Sequence, residues 1–333
     1  TRMSEVMTSV GNLKYVKKNL KRWMKPEKRS APVPMNLFGA RAKVYYQPKG
    51  VVGNMTPWNI PVGMVFSPLA DMLGAGNRVM VKPSEFTPAT SALTKELVSR
   101  YFDPTEMAVV TGGPETGAAF AALPFDHLLF TGATAVGRMV ARAAADNLTP
   151  VTLELGGKSP VFIGISADIT EAADKIITGK AQNAGQLCIS PDYAFVPEAR
   201  LEAFIAAARS TFGAQFPSVR ANPDYNAIIN ARHFGRVKAA IEEVRAAGVR
   251  VEDLNPASED WSDETLRKIP VHLVVDPPDD CRLMQEEIFG PVLVLSTYRD
   301  ITRCIAYVNA RARPLALYYF GTDGAERERV LRE

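Results

Sequence analysis

HLLFTGATAVGRMVARAAADNLTPVTLEL, residues His127–Leu155, is the stretch that decides the fold. An apolar run at His127–Phe130 meets a turn of small residues bounded by Gly132 and Gly137. A helical run at Ala135–Ala145 follows, and then a second apolar run at Val151–Leu155. Strand, helix and strand in that order form a βαβ unit, with parallel strands in one sheet and the helix covering a face. The same alternation runs upstream. Val51–Met55 precedes a helix at Pro61–Leu73, Arg78–Lys82 one at Ala89–Tyr101, and Met107–Val110 one at Glu115–Ala122. The pattern predicts a doubly wound parallel sheet.

Past the glycine pair Gly156–Gly157, where the backbone can turn sharply, a second α/β unit begins. Its helices are expected at Ile169–Asn183, Ala199–Phe212, Ala231–Ala247 and Ile301–Asn309. Its strands are expected near Ala194–Val196, Val271–Val275, Val292–Leu295 and Ala316–Phe320. A chain of 333 residues has room for two such domains, and 47% hydrophobic with 23% charged residues suits packed cores.

Composition also excludes several classes. A net charge of +3 is too small to point to nucleic acid. Lys14–Arg29 holds eight Lys or Arg, but Val6, Val10, Leu13, Leu20 and Met24 recur at helical spacing, which reads as one amphipathic helix with a solvated basic face. The most apolar stretch, Trp58–Leu73, contains prolines and Asp71 and falls short of the ~20 residues a spanning helix needs, so no membrane partner is expected. His127, His233 and His272 are scattered without metal-ligand spacing, and no metal is expected. Three cysteines make no disulfide framework.

The chemistry-bearing residues fall in two segments. VTLELGGKSP (Val151–Pro160) carries Glu154, and NAGQLCI (Asn183–Ile189) carries Cys188, 34 positions further on. A thiol nucleophile needs a partner that manages protons and water, and a carboxylate from another element meets that need. On this reading the two residues line opposite sides of an interdomain cleft. Cys304 lies at helical spacing among Ile301, Ile305 and Val308 and reads as core. Cys281 follows Asp279–Asp280, whose charge disfavours a thiolate. Lys82 and Glu85 lie at the end of a strand, where they either contact a ribose or form a surface pair at the start of the next helix. The turn Gly132–Gly137 lets backbone amides and a helix N-terminus approach a pyrophosphate. It lacks the G-x-G-x-x-G pattern and the Lys-Ser/Thr of a P-loop. Trp58 packs either on a ligand or in the core, and Lys158 reads as structural.

PWN (57–59), KPSE (82–85), FTGATAVG (130–137), LELGGKSP (153–160), GQLC (185–188) and EEIFGPV (286–292) together resemble the aldehyde dehydrogenase superfamily, in the family's order. CISPDY (188–193) and RPLALYYFG (313–321) look like the branch of class 3 and coniferyl aldehyde enzymes. NPDYNAIINARHF (222–234) and LRKIP (266–270) are most similar to the coniferyl group. The resemblance implies α/β architecture with a Rossmann-like NAD-binding domain (1–31 and 48–156), a catalytic thiol domain (157–333) and a small β oligomerisation segment (32–47). That segment contains the extended run Ala42–Gln47 and implies a homodimer. Measured against the family, the chain lacks an N-terminal helical segment and a C-terminal portion.

The implied activity is oxidation of an aldehyde, coniferyl or a related aromatic one, to its acid. Cys188 is the nucleophile, Asn59 an oxyanion donor, and Glu154 the general base, a role that suits a carboxylate in an apolar strand if burial raises its pKa. Trp58, Lys82, Glu85, Gly132, Ala133, Val136, Gly137, Glu287 and Phe289 are the implied cofactor contacts. The cofactor is NAD, with NADP as second option, since Glu85 beside the ribose disfavours a 2′-phosphate. Ala133 stands where the family has a polar residue, which removes one phosphate contact. Reduced-thiol chemistry and the lack of a signal-peptide pattern give a cytoplasmic expectation. Two alternatives compete: a non-redox cysteine-dependent acyltransferase or thioesterase, and a non-catalytic nucleotide-binding module.

Overall fold

The computed structural model describes residues 2–333, which form two compact units meeting at Leu155 and Gly156. In the first, a π-type turn (Arg2–Met7) leads into α1 (Thr8–Trp23). A hairpin follows, made of β1 (Glu27–Arg29) and β2 (Ala42–Val44). Then come β3 (Val51–Met55), α2 (Gly63–Gly74), β4 (Arg78–Lys82), α3 (Pro88–Tyr101), β5 (Met107–Val109), α4 (Pro114–Ala121), β6 (His127–Gly132), α5 (Thr134–Ala145) and β7 (Val151–Leu155). The five-stranded sheet runs β5-β4-β3-β6-β7 with every pair parallel. Strand order reverses between β3 and β6, the topological switch point beside which ligands of such sheets bind, beyond the carboxyl ends of the strands. The doubly wound expectation holds, and the expected strands and helices recur within a few residues of their ends.

Packing tightens around β3. Gly53 faces Phe125 and Leu128, and a Cβ there would lie 2.7 Å from Leu128 and 2.8 Å from the Phe125 ring. Pro68 sits inside α2, so the Met64 carbonyl lacks its helical donor. The buried Asn54 of β3 supplies one, donating Nδ2 at 3.3 Å.

The N-terminal helix corrects the sequence reading. Val6, Val10, Leu13 and Met24, expected to form its packed face, are exposed. The buried positions are Glu5, Ser9 and Val16, which lie against α2. Unsatisfied backbone amides at the start of α2 favour this polar face over the apolar one. The Glu5 carboxylate accepts from Val62 N (2.8 Å) and Gly63 N (3.0 Å), Ser9 meets Ser67 Oγ at 3.2 Å, and Asn12 donates to Ser67 O at 2.8 Å.

The second unit contains β8 (Pro160–Ile163), α6 (Ile169–Ala181), β9 (Tyr193–Pro197), α7 (Leu201–Gln215), α8 (Ala231–Ala246), β10 (Arg250–Asp253), β11 (His272–Val275), α9 (Arg282–Gln285), β12 (Val292–Tyr298), α10 (Ile301–Asn309), β13 (Tyr318–Phe320) and α11 (Gly324–Arg332). Its sheet runs β10-β11-β12-β9-β8-β13, parallel except for β10. Helix starts are set by side-chain caps: Asp168 on α6, Asn230 on α8, Asp300 on α10 and Asp323 on α11. The core gathers Phe162, Ile176, Phe204, Phe212, Phe234 and the parallel strands. Tyr225 is buried there with its hydroxyl donated to Ile269 O at 2.7 Å.

Gly53→Ala should lower the unfolding free energy by about 1–3 kcal/mol through overpacking against Phe125 and Leu128. An unchanged urea midpoint would contradict this account of β3.

Candidate active site

In the first unit, every residue singled out by sequence lies at or just beyond the carboxyl end of a strand. β3 runs into Trp58 and Asn59, both half-buried; β4 ends at Lys82; β6 ends in Gly132; β7 carries Glu154 opposite Thr131. Lys82 is buried, with its stem packed over Gly117. A buried ammonium needs acceptors. Its Nζ donates to Pro83 O at 3.2 Å and approaches Glu85 Oε2 at 3.5 Å. Glu85 borders a groove of about 570 Å³ shared with Ser84, Pro88, Ser91, Lys95 and Gly112.

The turn from β6 into α5 is made of glycines for packing reasons. A Cβ on Gly132 would come within 2.7 Å of the Phe130 ring, and one on Gly137 within 2.6 Å of Leu155. Ala133 is the N-cap of α5 and offers no side-chain bond to the helix amides. Those amides and the positive helix end suit an anionic group. Val136 is exposed on the first turn. A nucleoside-sized groove beside Glu85 and an uncapped twelve-residue helix fit a dinucleotide.

One condition set by the sequence reading is not met here. Glu154 does not sink into apolar surroundings; it is exposed on β7, an edge strand whose side chains alternate between half-buried and exposed.

In the second unit, Cys188 follows three residues in the left-handed region: Asn183 (φ 50°), Ala184 (φ 52°) and Gly185 (φ 71°). Glycine is required at the third, because a Cβ would lie 2.2 Å from Gly290 O. Gln186, for which the sequence suggested no role, is the anchor of this turn. It is buried, donates Nε2 to Asn183 O (2.9 Å) and Ala227 O (3.1 Å), and accepts from Ile229 N at 3.0 Å. Beyond the cysteine, Tyr318 of β13 donates its hydroxyl to Ile189 O at 2.5 Å. Burial, and then the nearby Cys188, raise the Tyr318 pKa. Of the three cysteines, Cys188 is partly exposed whereas Cys281 and Cys304 are buried. Burial pushes both buried thiols up, Cys304 to about 12, so neither supplies a thiolate near neutrality.

Glu287 and Phe289 stand on a turn fixed by charged side chains. Lys158 forms a short ion pair with Asp192 and donates to Leu283 O (2.7 Å) and Glu286 O (3.0 Å). Asp192 accepts from Ile288 N at 3.0 Å, and Arg236 donates to Ile288 O at 2.6 Å. Phe289 takes a positive φ of 44°. The Glu287 carboxyl rests on Gly156, where a Cβ would lie 1.9 Å from Oε2. Burial, reinforced by the Asp192 carboxylate, pushes its pKa up to about 7. Fully buried Lys180, donating to Pro191 O at 2.8 Å, is pulled down to about 8 by desolvation. No cluster of metal-binding side chains occurs among the described residues.

Residues 1–333 match the model of the aldehyde dehydrogenase family. A probable coniferyl aldehyde dehydrogenase of Caulobacter vibrioides is 53% identical over 332 residues, covering 99% of this chain and 68% of the relative. The coniferyl aldehyde dehydrogenase of Pseudomonas sp. strain HR199 is 50% identical, covering 100% and 68%. Among solved structures, substrate-bound AldH of Staphylococcus aureus superposes with a TM-score of 0.92 at 35% identity, over 99% of this chain and 70% of that one. The Mycobacterium tuberculosis aldehyde dehydrogenase complexed with NAD+ gives 0.86 at 28%, over 99% and 68%. The chain thus spans about two thirds of the length of the relatives it matches.

Because folded Glu287 titrates near 7 and its unfolded form near 4.5, stability should fall across that window as pH rises. The contribution is fully present below 4.5, where both forms are protonated. Glu287→Gln should remove this slope from urea midpoints; equal slopes in both proteins would contradict the assigned environment.

Proposed function

The chain belongs to the aldehyde dehydrogenase family, and from that premise we propose that it oxidises coniferyl aldehyde or a closely related aromatic aldehyde to the acid, with NAD. The observation that carries the reading is the state of Cys188: a partly exposed thiol three residues past a left-handed turn, while the other two cysteines are buried. The names of the relatives at 53% and 50% identity support the substrate class.

In this reading the Cys188 thiolate adds to the carbonyl carbon and leaves an oxyanion. Asn59, through its side-chain amide, and the Cys188 backbone N–H hold that oxygen; one such donor is commonly worth about 10²–10³ in rate. A bound nicotinamide would supply the acceptor for the hydride leaving the former aldehyde carbon. The acyl group then remains on Cys188 as a thioester. Glu154 takes a proton from water, the hydroxide attacks the thioester, and the acid leaves with return of the thiolate. An exposed base has water at hand and passes its proton to solvent directly. Lys82 and Glu85 would hold the adenosine ribose, the Gly132–Gly137 turn would take the pyrophosphate with Ala133 and Val136 at its helix start, and Trp58, Glu287 and Phe289 would line the nicotinamide end.

NAD is favoured over NADP because the Glu85 carboxylate at the groove repels a 2′-phosphate. Exposed Leu37, Phe38, Tyr45 and Tyr46 on and beside the β1–β2 hairpin support a homodimer that covers them. No helix among the described residues is long and apolar enough to cross a membrane, and thiolate chemistry favours a reducing cytoplasm. Acyl transfer without redox chemistry would leave the groove beside Glu85 and the open end of α5 without a use.

Cys188→Ala should abolish aldehyde-dependent NADH formation while NAD binding persists in a fluorescence titration; residual turnover at the wild-type rate would refute the nucleophile. Glu154→Gln should give a burst of NADH followed by slow turnover as deacylation becomes limiting. A linear, undiminished time course would remove Glu154 from the mechanism.

A further inference from the structure

α2 begins without a cap of its own. Its N-cap is Val62, preceded by Ile60 and Pro61, and none of these side chains bonds the first helix amides. Two of those amides, Val62 N and Gly63 N, instead end on the Glu5 carboxylate, brought from 57 and 58 positions away and only 6% exposed. An ionised acceptor at a helix N-terminus makes charge-assisted bonds that also answer the helix dipole. The Glu5 stem lies against the helix start: a Cβ built on Gly63 would sit in ordinary van der Waals contact with it, 3.6 Å from Glu5 Cγ. The contact continues along one stripe of the N-terminal helix through Ser9 and Asn12 to Ser67. It closes where Val16 packs on Gly74, at 2.7 Å from a Cβ built there.

This stripe explains why a charged and two polar residues are turned inward while Val6, Val10 and Leu13 stay exposed. It also fixes one end of a short segment. The other end is held where Thr56 N donates to Lys82 O at 3.1 Å, in line with the β3–β4 pairing. Between the two anchors lie Pro57, Trp58, Asn59, Ile60 and Pro61, with Ile60 O already accepting from Met64 N at 3.0 Å.

We propose that Glu5 is a positioning residue for Asn59: by holding the start of α2 it sets the path of the 57–62 segment and thus the direction of the Asn59 amide toward the oxyanion. The proposal rests on the oxyanion role given to Asn59 above. Glu5 touches no reacting atom and acts through backbone geometry alone. Small displacements of an oriented donor are expensive in rate, an ångström being worth up to about a hundredfold.

The test uses the full chain, with kcat for an aromatic aldehyde, the Kd for NAD and the thermal midpoint measured for each variant. Glu5→Ala should lower kcat about tenfold or more while the NAD Kd stays within about twofold. Glu5→Gln, whose amide oxygen can still accept both N–H groups, should recover most of the loss. In an Asn59→Ala background, Glu5→Ala should add little, because the donor it positions is gone. Should Glu5→Ala fail to fold, Glu5→Asp, one methylene short, carries the same comparison with a smaller loss. An equal further loss in the Asn59→Ala background, a matching rise in the NAD Kd, or an unaltered kcat in Glu5→Ala overturns the proposal and leaves the oxyanion reading standing. An unaltered kcat in Asn59→Ala alone overturns both.

Discussion

One buried carboxylate, Asp192, organises the chemistry-bearing part of the second unit. Its backbone N–H donates to Ser159 O, its carbonyl accepts from Val294 N, and its two oxygens take Lys158 and Ile288 N. It therefore joins the residues just after the glycine pair, the segment just after Cys188, and the turn carrying Glu287 and Phe289. Removing one member of a buried ion pair usually costs about 3–5 kcal/mol, because the survivor is left uncompensated. Lys180 reinforces the arrangement from beneath by donating to Pro191 O, and Arg236 grips the far side of the Glu287 turn. A nucleophile loop with two successive non-glycine residues, Asn183 and Ala184, in the left-handed region would otherwise relax, since such residues are strained unless their surroundings over-determine them.

The first unit solves a different problem with the same economy of parts. Its parallel sheet brings the ends of β3, β4, β6 and β7 to one edge, which is where Asn59, Lys82, Gly132 and Glu154 are found. The four helices between its strands carry no side-chain caps, in contrast to α6, α8, α10 and α11 of the second unit. At α5 the uncapped amides suit a phosphate; at α2 they are taken by Glu5.

Much of this was legible in the chain. Alternating apolar runs and helical runs gave the parallel sheets, because burial on both faces leaves a plain apolar signature. The strands Pro160–Ile163 and Arg250–Asp253 were not foreseen: the first opens with proline, and the second has charged residues at three of its four positions and pairs antiparallel at the sheet edge. Long-range polar partners were also invisible. Nothing local in GQLC shows that Gln186 reaches Ala227 and Ile229, that Tyr318 meets Ile189, or that Glu5 reaches Val62. The apolar neighbours of Glu154 gave no sign of its exposure, because an edge strand buries only part of either face. The N-terminal helix misled for a related reason, since backbone amides outcompeted valine and leucine for the contact with α2.

The central claim is that a thioester forms on Cys188 in the same step sequence that releases a hydride. A rapid-quench single turnover of the wild-type chain with NAD and an aromatic aldehyde, read by peptide mass spectrometry, tests it most directly. The account predicts an acyl mass on the Cys188 peptide that rises in proportion to NADH, with Cys281 and Cys304 unmodified. NADH formed without acylation of Cys188, or acylation of either buried cysteine in its place, would contradict it.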